Sequence, residues 1–319
     1  MTESGKTPKY GDFKEPQAQA GQEIIAVRAA ALTHLTKGRA SGAHYSSNHI
    51  FPFVAGVDGV GTTADGRRVY FALPDAPFGA MAEKTRVRSS HCVAVPEGLD
   101  DITAAALGNP GMSSGAALAE RAHLKAGETV LINGATGVAG RLAIQIAKYM
   151  GAGKVIATGR DKNALDEAKF IGADVVIPFR LGASDAGGAQ QYEEALQEQF
   201  ALGVDVVLDY LWGKSAEIVI IAAAKAGKEA VPIRFVQIGA VSGDDIQLPG
   251  AALRSSAIVL MGSGINSVSF EGLLAAVRDV FRAAVPANFK IDVKVIPLST
   301  VEESWHKEFG RSRVVFTPS

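Results

Sequence analysis

The chain has 319 residues, 47% of them hydrophobic, with 32 basic and 33 acidic side chains and a formal net charge of −1. That length suggests about two domains around a large core, and the near-neutral balance points away from nucleic acid and from an anionic membrane surface. The single cysteine, Cys92, excludes an internal disulfide and a multi-cysteine zinc lobe.

In chain order, residues 1–20 read as a loose polar arm without the apolar stretch of a secretory signal. Residues 23–29 are β-branched and partly alternating, a strand pattern. Residues 33–48 are rich in Gly, Ser and His and read as irregular. Residues 51–61 are apolar with repeated glycines, which fits a curved strand in a small β-barrel. Asp65-Gly66 is a hairpin signal before a strand at 68–72. Short strands follow at 80–87 and 92–95. Residues 96–107 turn helical, with Asp100 or Asp101 as the cap. Gly108-Asn109-Pro110-Gly111 is predicted to break that helix, and a second helix is predicted over 113–122. No run of 18 apolar residues suggests a membrane span.

The stretch 128–161, ETVLINGATGVAGRLAIQIAKYMGAGKVIATGRD, carries the clearest signal. An apolar strand leads into a glycine turn, an amphipathic helix and a second strand, the βαβ unit of a mononucleotide-binding half. From Ala135 the turn reads A-x-G-x-x-G. Gly137 lets backbone approach a pyrophosphate, Gly140 packs the helix on the strand, and the helix N-terminus supplies N–H groups and partial positive charge. The alternative is a tight βα turn with no ligand, but strand and helix stand where a dinucleotide site requires them. The end of the second strand selects the cofactor. Gly159 occupies the position where an NAD site has an acidic residue, and Arg160 follows with a guanidinium suited to a 2′-phosphate. NADP(H) is therefore expected, with Asp161 as the counter-argument. Beyond it, helices at 163–171, 189–200 and 215–226 alternate with strands at 174–177, 204–209, 234–239 and 258–262, implying a parallel sheet covered on both faces. A helix at 270–284 and strands at 293–298 and 313–316 return to the first lobe.

Several stretches carry a family likeness: AVRAAALT near residue 30, PFVAGVDGVG at 52–61, LINGATGVAGRLAIQIAK at 131–148, GVDVVLD at 203–209, FVQIGAVSG at 235–243 and GRSRVVFTP at 310–318. Together they resemble the medium-chain dehydrogenase/reductase superfamily, in particular its zinc-independent quinone oxidoreductases. The resemblance implies an α/β fold, a Rossmann doubly wound parallel sheet at 121–262 plus a GroES-like β-barrel catalytic domain at 1–120 and 263–319. It implies hydride transfer from NADPH to a small quinone, enone or enal, in a cytoplasmic homodimer paired through the strand at 257–262. The cofactor residues it implies are Asn109, Ala135, Thr136, Gly137, Val138, Ala139, Gly159, Arg160, Lys162, Gly239, Ala240, Gly262, Ser263 and Gly264. Ser113 matches the small hydroxyl residue beside the nicotinamide, and Tyr45 matches a loop tyrosine able to donate a proton or hydrogen bond.

Zinc-dependent relatives need three protein ligands, and here Thr33, Val57 and Asn109 fall at those positions; Asp58 alone cannot hold zinc. His34, His44 and His49 cluster in sequence without a Cys or acidic partner at ligand spacing and read as loop or cleft residues. Thr33 and Thr36 stand where the quinone reductases often carry Asn and Asp, which opens the site to enones and enals. Two other readings remain: an NADPH-binding structural or sensing protein without turnover, and a serine hydrolase using Ser113 in Gly111-Met112-Ser113-Ser114-Gly115, a G-x-S-x-G pattern that requires a strand before it and a helix after it.

Overall fold

The computed structural model describes residues 1–47, 50–182, 185 and 187–318. The chain divides into two compact units, Met1–Met112 with Val277–Ser319 and Ser113–Ala276.

The first unit is built on β1 (Gln22–Ala31), β2 (Asp58–Thr63), β3 (Arg68–Ala72), β4 (Lys84–Arg88), β5 (Cys92–Ala94), β12 (Val293–Pro297) and β13 (Arg313–Thr317). Its seven strands run in the order β12-β13-β1-β2-β3-β5, with β4 also paired to β1. Alternation along β1 turns Ile25 and Val27 inward onto Val69, Phe71, Val87 and Phe316. The expected return of the tail is seen in β13, which pairs antiparallel with β1 through Ala30 and Phe316.

Four local expectations are corrected. Residues 1–20 are a fastened arm at their start, since Ser4 Oγ donates to the Ser41 carbonyl at 2.7 Å and Tyr10 N–H donates to Glu302 at 3.1 Å. The irregular segment holds a helix, α1 (His34–Ser41), capped by the Thr33 hydroxyl accepting from Thr36 N–H and closed by Gly42 at φ 78°. The curved strand expected over 51–61 begins only at Asp58. The break at Gly108–Gly111 does not occur, because α2 (Asp101–Ala116) runs through Pro110. Tertiary packing overrides propensity there: a Cβ on Gly108 would sit 2.1 Å from the Tyr70 ring, so this glycine serves a close helix–strand approach and not a turn.

The second unit alternates β6 (Thr129–Asn133), α3 (Val138–Tyr149), β7 (Lys154–Gly159), α4 (Lys162–Phe170), β8 (Val175–Pro178), α5 (Gly188–Leu202), β9 (Val206–Asp209), α6 (Gly213–Ala226), β10 (Ile233–Gln237), α7 (Gly250–Arg254) and β11 (Ile258–Gly262). The six strands are parallel in the order β11-β10-β9-β6-β7-β8. Strand order therefore reverses between β6 and β9, the switch point where open sheets of this kind bind ligands at their carboxyl ends. β9 is buried along its whole length, as a strand covered on both faces must be. Leu131, Ile156, Phe200, Val207 and Phe235 form the core on one of those faces.

The breaks between units fall after Met112 and Ala276, whereas the sequence placed them after 120 and 262. The structural breaks lie inside α2 and inside α8 (Phe270–Ala284), so two continuous helices carry the chain from one unit to the other. A short α9 (Val301–Ser304) precedes β13. Among the described residues, no helix is long and apolar enough to cross a membrane.

Candidate dinucleotide-binding site

The expected cofactor residues of the second unit line up along the carboxyl edge of its sheet. Main-chain hydrogen bonds stitch that edge together: Ala135 N–H to Thr158 at 2.9 Å, Tyr210 N–H to Asn133 at 3.1 Å, Ile238 N–H to Asp209 at 2.7 Å and Ser263 N–H to Gln237 at 2.8 Å. The glycine turn, Gly159, Gly239-Ala240 and Gly262–Gly264 thus stand at the carboxyl ends of β6, β7, β10 and β11 of one sheet.

Each glycine of the turn has its own reason. A Cβ on Gly140 would stand 2.3 Å from the Gly134 carbonyl, and one on Gly159 would stand 2.5 Å from Thr136 Cγ2, so both are fixed by close packing. Gly137 is different. A Cβ there would meet nothing nearer than the Gly134 carbonyl at 3.8 Å, and the residue is exposed, so no internal contact demands a glycine. Gly137 is also the N-cap of α3 and offers no side-chain acceptor to the first-turn N–H groups. Bare backbone, unsatisfied donors and the positive end of the helix dipole together suit a pyrophosphate.

The cation end is equally legible. Arg160 and Lys162 are exposed on either side of Asp161. Asp161, the one residue that argued for NAD, is the N-cap of α4 and accepts from Ala164 N–H at 3.2 Å. Its Oδ1 is used by the helix cap, and two exposed cations flank it. The residues present therefore fit NADP(H).

Beneath this edge lies a buried polar network that the sequence reading missed. Asn133 donates to Asp209 at 2.8 Å and to Ser215 at 3.1 Å, while its carbonyl accepts from Thr158 at 2.9 Å and Tyr192 at 3.1 Å. Asp209 also accepts from the N–H groups of Leu211 and Trp212. Burial pushes the Asp209 carboxyl up to about 6, against the pull of Leu211, Asn133 and Trp212. The network ties β6, β7, β9, α5 and α6 together at the switch point and so holds the glycine turn in place. The polar residues ending three neighbouring apolar strands, Asn133, Thr158 and Asp209, were the available signal.

The remaining expected residues sit on other elements. Asn109 and Ser113 are one turn apart on α2, so they share a face of it. Ser113 lies inside that helix with no strand before it, which removes the nucleophile elbow and with it the serine-hydrolase reading. The adjacent Ser114 is buried against the Tyr210 hydroxyl at 2.7 Å. Tyr45 follows α1 on a turn, 67% exposed, with its ring 4.1 Å from that of His44. His34 opens α1, and His49 lies outside the described residues. Among the described residues no three His, Cys, Asp or Glu side chains stand close enough to share a metal ion. At the positions of the zinc ligands, the Thr33 hydroxyl is taken up by the α1 cap and Val57 is a buried hydrocarbon.

Asp58, beside Val57, is fully buried. Its Oδ2 accepts from the Tyr70 hydroxyl at 3.0 Å, and its Oδ1 has no hydrogen-bond partner. Burial raises this carboxyl to about 7, with Tyr70, Arg313 and the Asn109 backbone pulling the other way.

Comparison with known proteins agrees with this geometry. A family model described as zinc-binding dehydrogenase matches residues 139–279. A protein of Emericella nidulans named "Probable NADPH-dependent quinone reductase" is 28% identical over 369 aligned positions, covering 99% of this chain and 98% of that protein. The quinone oxidoreductase of Pongo abelii is 34% identical over 63% of this chain and 60% of its own length. Among solved structures, the quinone oxidoreductase of Thermus thermophilus, described alone and in complex with NADPH, superposes with a TM-score of 0.79 at 26% identity, covering 99% of this chain and 98% of that one. Over nearly its whole length the chain is similar to the quinone oxidoreductase-like branch of the medium-chain dehydrogenase/reductase superfamily. The zinc-binding dehydrogenase model spans most of the nucleotide-binding unit, and the zinc-ligand positions at 33, 57 and 109 lie outside its match.

Proposed function

We propose that this protein is an NADPH-dependent reductase of quinones and α,β-unsaturated carbonyl compounds. The observation that carries the reading is the pairing of a bare Gly137 turn with Arg160 and Lys162, while Asp161 is withdrawn into the α4 cap. NADPH, when bound, supplies the hydride. The protein's own residues bind, orient and stabilise. The N–H groups of Val138 and Ala139 would hold the pyrophosphate, and Arg160 would hold the 2′-phosphate. Asn109 and Ser113 would help hold the nicotinamide, and Tyr45 would donate a hydrogen bond to the substrate oxygen, stabilising the negative charge that hydride transfer places there. A conjugated acceptor suits such a site, since its charge ends on an oxygen within reach of one or two donors. The relatives named for NADPH-dependent quinone reduction and for alkenal/one reduction support the same chemistry. The catalytic domain is the GroES-like first unit. The protein works as a cytoplasmic homodimer paired through β11, an edge strand with Val259 46% exposed.

The test is NADPH oxidation against a panel of quinones, enones and enals. Turnover with NADPH preferred over NADH is expected. Arg160→Ala should erase most of that preference, a loss on the order of ten- to a hundredfold in NADPH affinity. Tyr45→Phe should lower turnover by about 10²–10³-fold at unchanged NADPH affinity. Tight NADPH binding without turnover on any member of the panel would leave a sensing or structural protein in place of the enzyme.

A further inference from the structure

A second basic surface lies wholly within the first unit, on residues that the reductase reading leaves unused. A cavity of about 360 Å³ is lined by Lys6 of the N-terminal arm, His34 and Lys37 of α1, and Trp305 and His306 just after α9. It is an open depression, with Lys6, His34 and His306 exposed at its surface. Two lysines and two histidines are among its lining residues, and none of its lining residues is acidic.

The walls are held in place. The arm is fastened by Ser4 to Ser41, by Gly5 N–H to the Ala40 carbonyl at 3.5 Å, and by Thr7 Oγ1 to His306 Nε2 at 2.9 Å. Trp305 is 5% exposed and gives the cavity a rigid apolar side. Lys37 has no ion-pair partner among the described residues. Lys6 pairs with Glu3 at 3.2 Å, an exposed contact that water screens. Glu302 of α9 accepts from the Tyr10 N–H at 3.1 Å. The local field is positive: beyond the effect of burial, Arg313 and Lys37 both hold the His34 imidazole below its ordinary range.

We infer that this cavity is a binding site for a small phosphate monoester. Lysine and histidine donate as separate point donors from several directions, which matches the oxygens of a tetrahedral dianion. A planar carboxylate favours the arginine fork, and no arginine lines the cavity. The space beyond the phosphate, against Trp305, takes a compact organic body. The inference stands independently of the reductase activity.

Titration calorimetry with phenyl phosphate, inorganic phosphate and benzoate decides it. Phenyl phosphate should bind more tightly than inorganic phosphate, and benzoate should bind weakest. Lys37→Met should weaken phenyl phosphate roughly tenfold or more, the Lys6→Met/Lys37→Met double variant should abolish it, and Lys37→Arg should largely retain it. Because the glycine turn and Arg160 offer phosphate sites of their own, the titrations are run with those sites filled by saturating NADP+, and Arg160→Ala serves as a control that should leave this binding unchanged. In parallel, the imidazole NMR signals of His34 and His306 should shift on addition of phenyl phosphate. Equal affinity in the wild type and the double variant, loss only in Arg160→Ala, unmoved imidazoles, or benzoate matching phenyl phosphate would each overturn the assignment.

Discussion

Asp209 and Asp58 are both fully buried carboxylates, one in each unit, and their surroundings differ in the number of donors. Asp209 divides its oxygens among the Asn133 amide and the N–H groups of Leu211 and Trp212. Asp58 takes one hydroxyl hydrogen bond, and its second oxygen has none. Burial raises both carboxyls, Asp209 to about 6 and Asp58 to about 7. Burial of similar depth thus has different consequences. With enough organised donors a carboxylate becomes a joint between strands; with too few it becomes a group that keeps its proton near neutrality.

The largest test of this contrast is Asp209→Ala. It leaves the part-buried N–H groups of Leu211 and Trp212 without their acceptor and takes one of two partners from the buried Asn133 amide, at a cost of roughly 2–3 kcal/mol in urea denaturation, and it should loosen the glycine turn enough to weaken NADPH binding. A loss below about 1 kcal/mol would show that the donors find other partners and that the network is not a joint.

Asp58→Asn should act mainly on pH dependence. The folded carboxyl titrates at about 7 and the unfolded one at 3.8, so the folded state holds the extra proton between them. Stability should therefore fall as pH rises through that window, by at most about 1.4 kcal/mol per pH unit. The variant should lose this slope above pH 6 while keeping the part that Asp209 contributes below it. Melting temperatures from pH 5 to 8 read this directly, and an unchanged slope would place the Asp58 proton elsewhere.

The smallest effect belongs to a third carboxylate, Asp161, which sits on the surface and caps α4. Asp161→Ala should cost about 1 kcal/mol of stability and leave NADPH affinity the same or slightly higher, since a negative charge beside Arg160 is removed. A marked fall in NADPH affinity would mean that the carboxylate contacts the ribose.

Much of this was legible in the sequence because the second unit is locally regular. Strand, turn and helix there alternate with periods that the apolar residues spell out, and Gly137, Gly140 and Gly159 mark the cofactor edge. The Asn133–Asp209 bond joins residues 76 positions apart, so no local pattern announces it. The errors in the first unit have local causes. Thr33 and Gly42 are ordinary start and stop signals for α1, but the Gly, Ser and His between and after them masked the helix. Gly108 and Pro110 look like a break until Tyr70 is seen to press on the glycine. The division of the chain was displaced for the same reason, since helices α2 and α8 run straight through it.

The return of β13 has a consequence for biosynthesis. In the first unit Leu32 N–H donates to the Val314 carbonyl at 2.9 Å, and β1 lies between β2 and β13. The second unit, by contrast, is one contiguous segment, Ser113–Ala276. On the ribosome the second unit has its whole sequence available while β1 still waits for a neighbour some 280 residues downstream. β2 and β4 follow within about 60 residues and pair with most of β1, so it is the end of β1 at Ala30 and Ala31 that stays uncovered until β13 has been made.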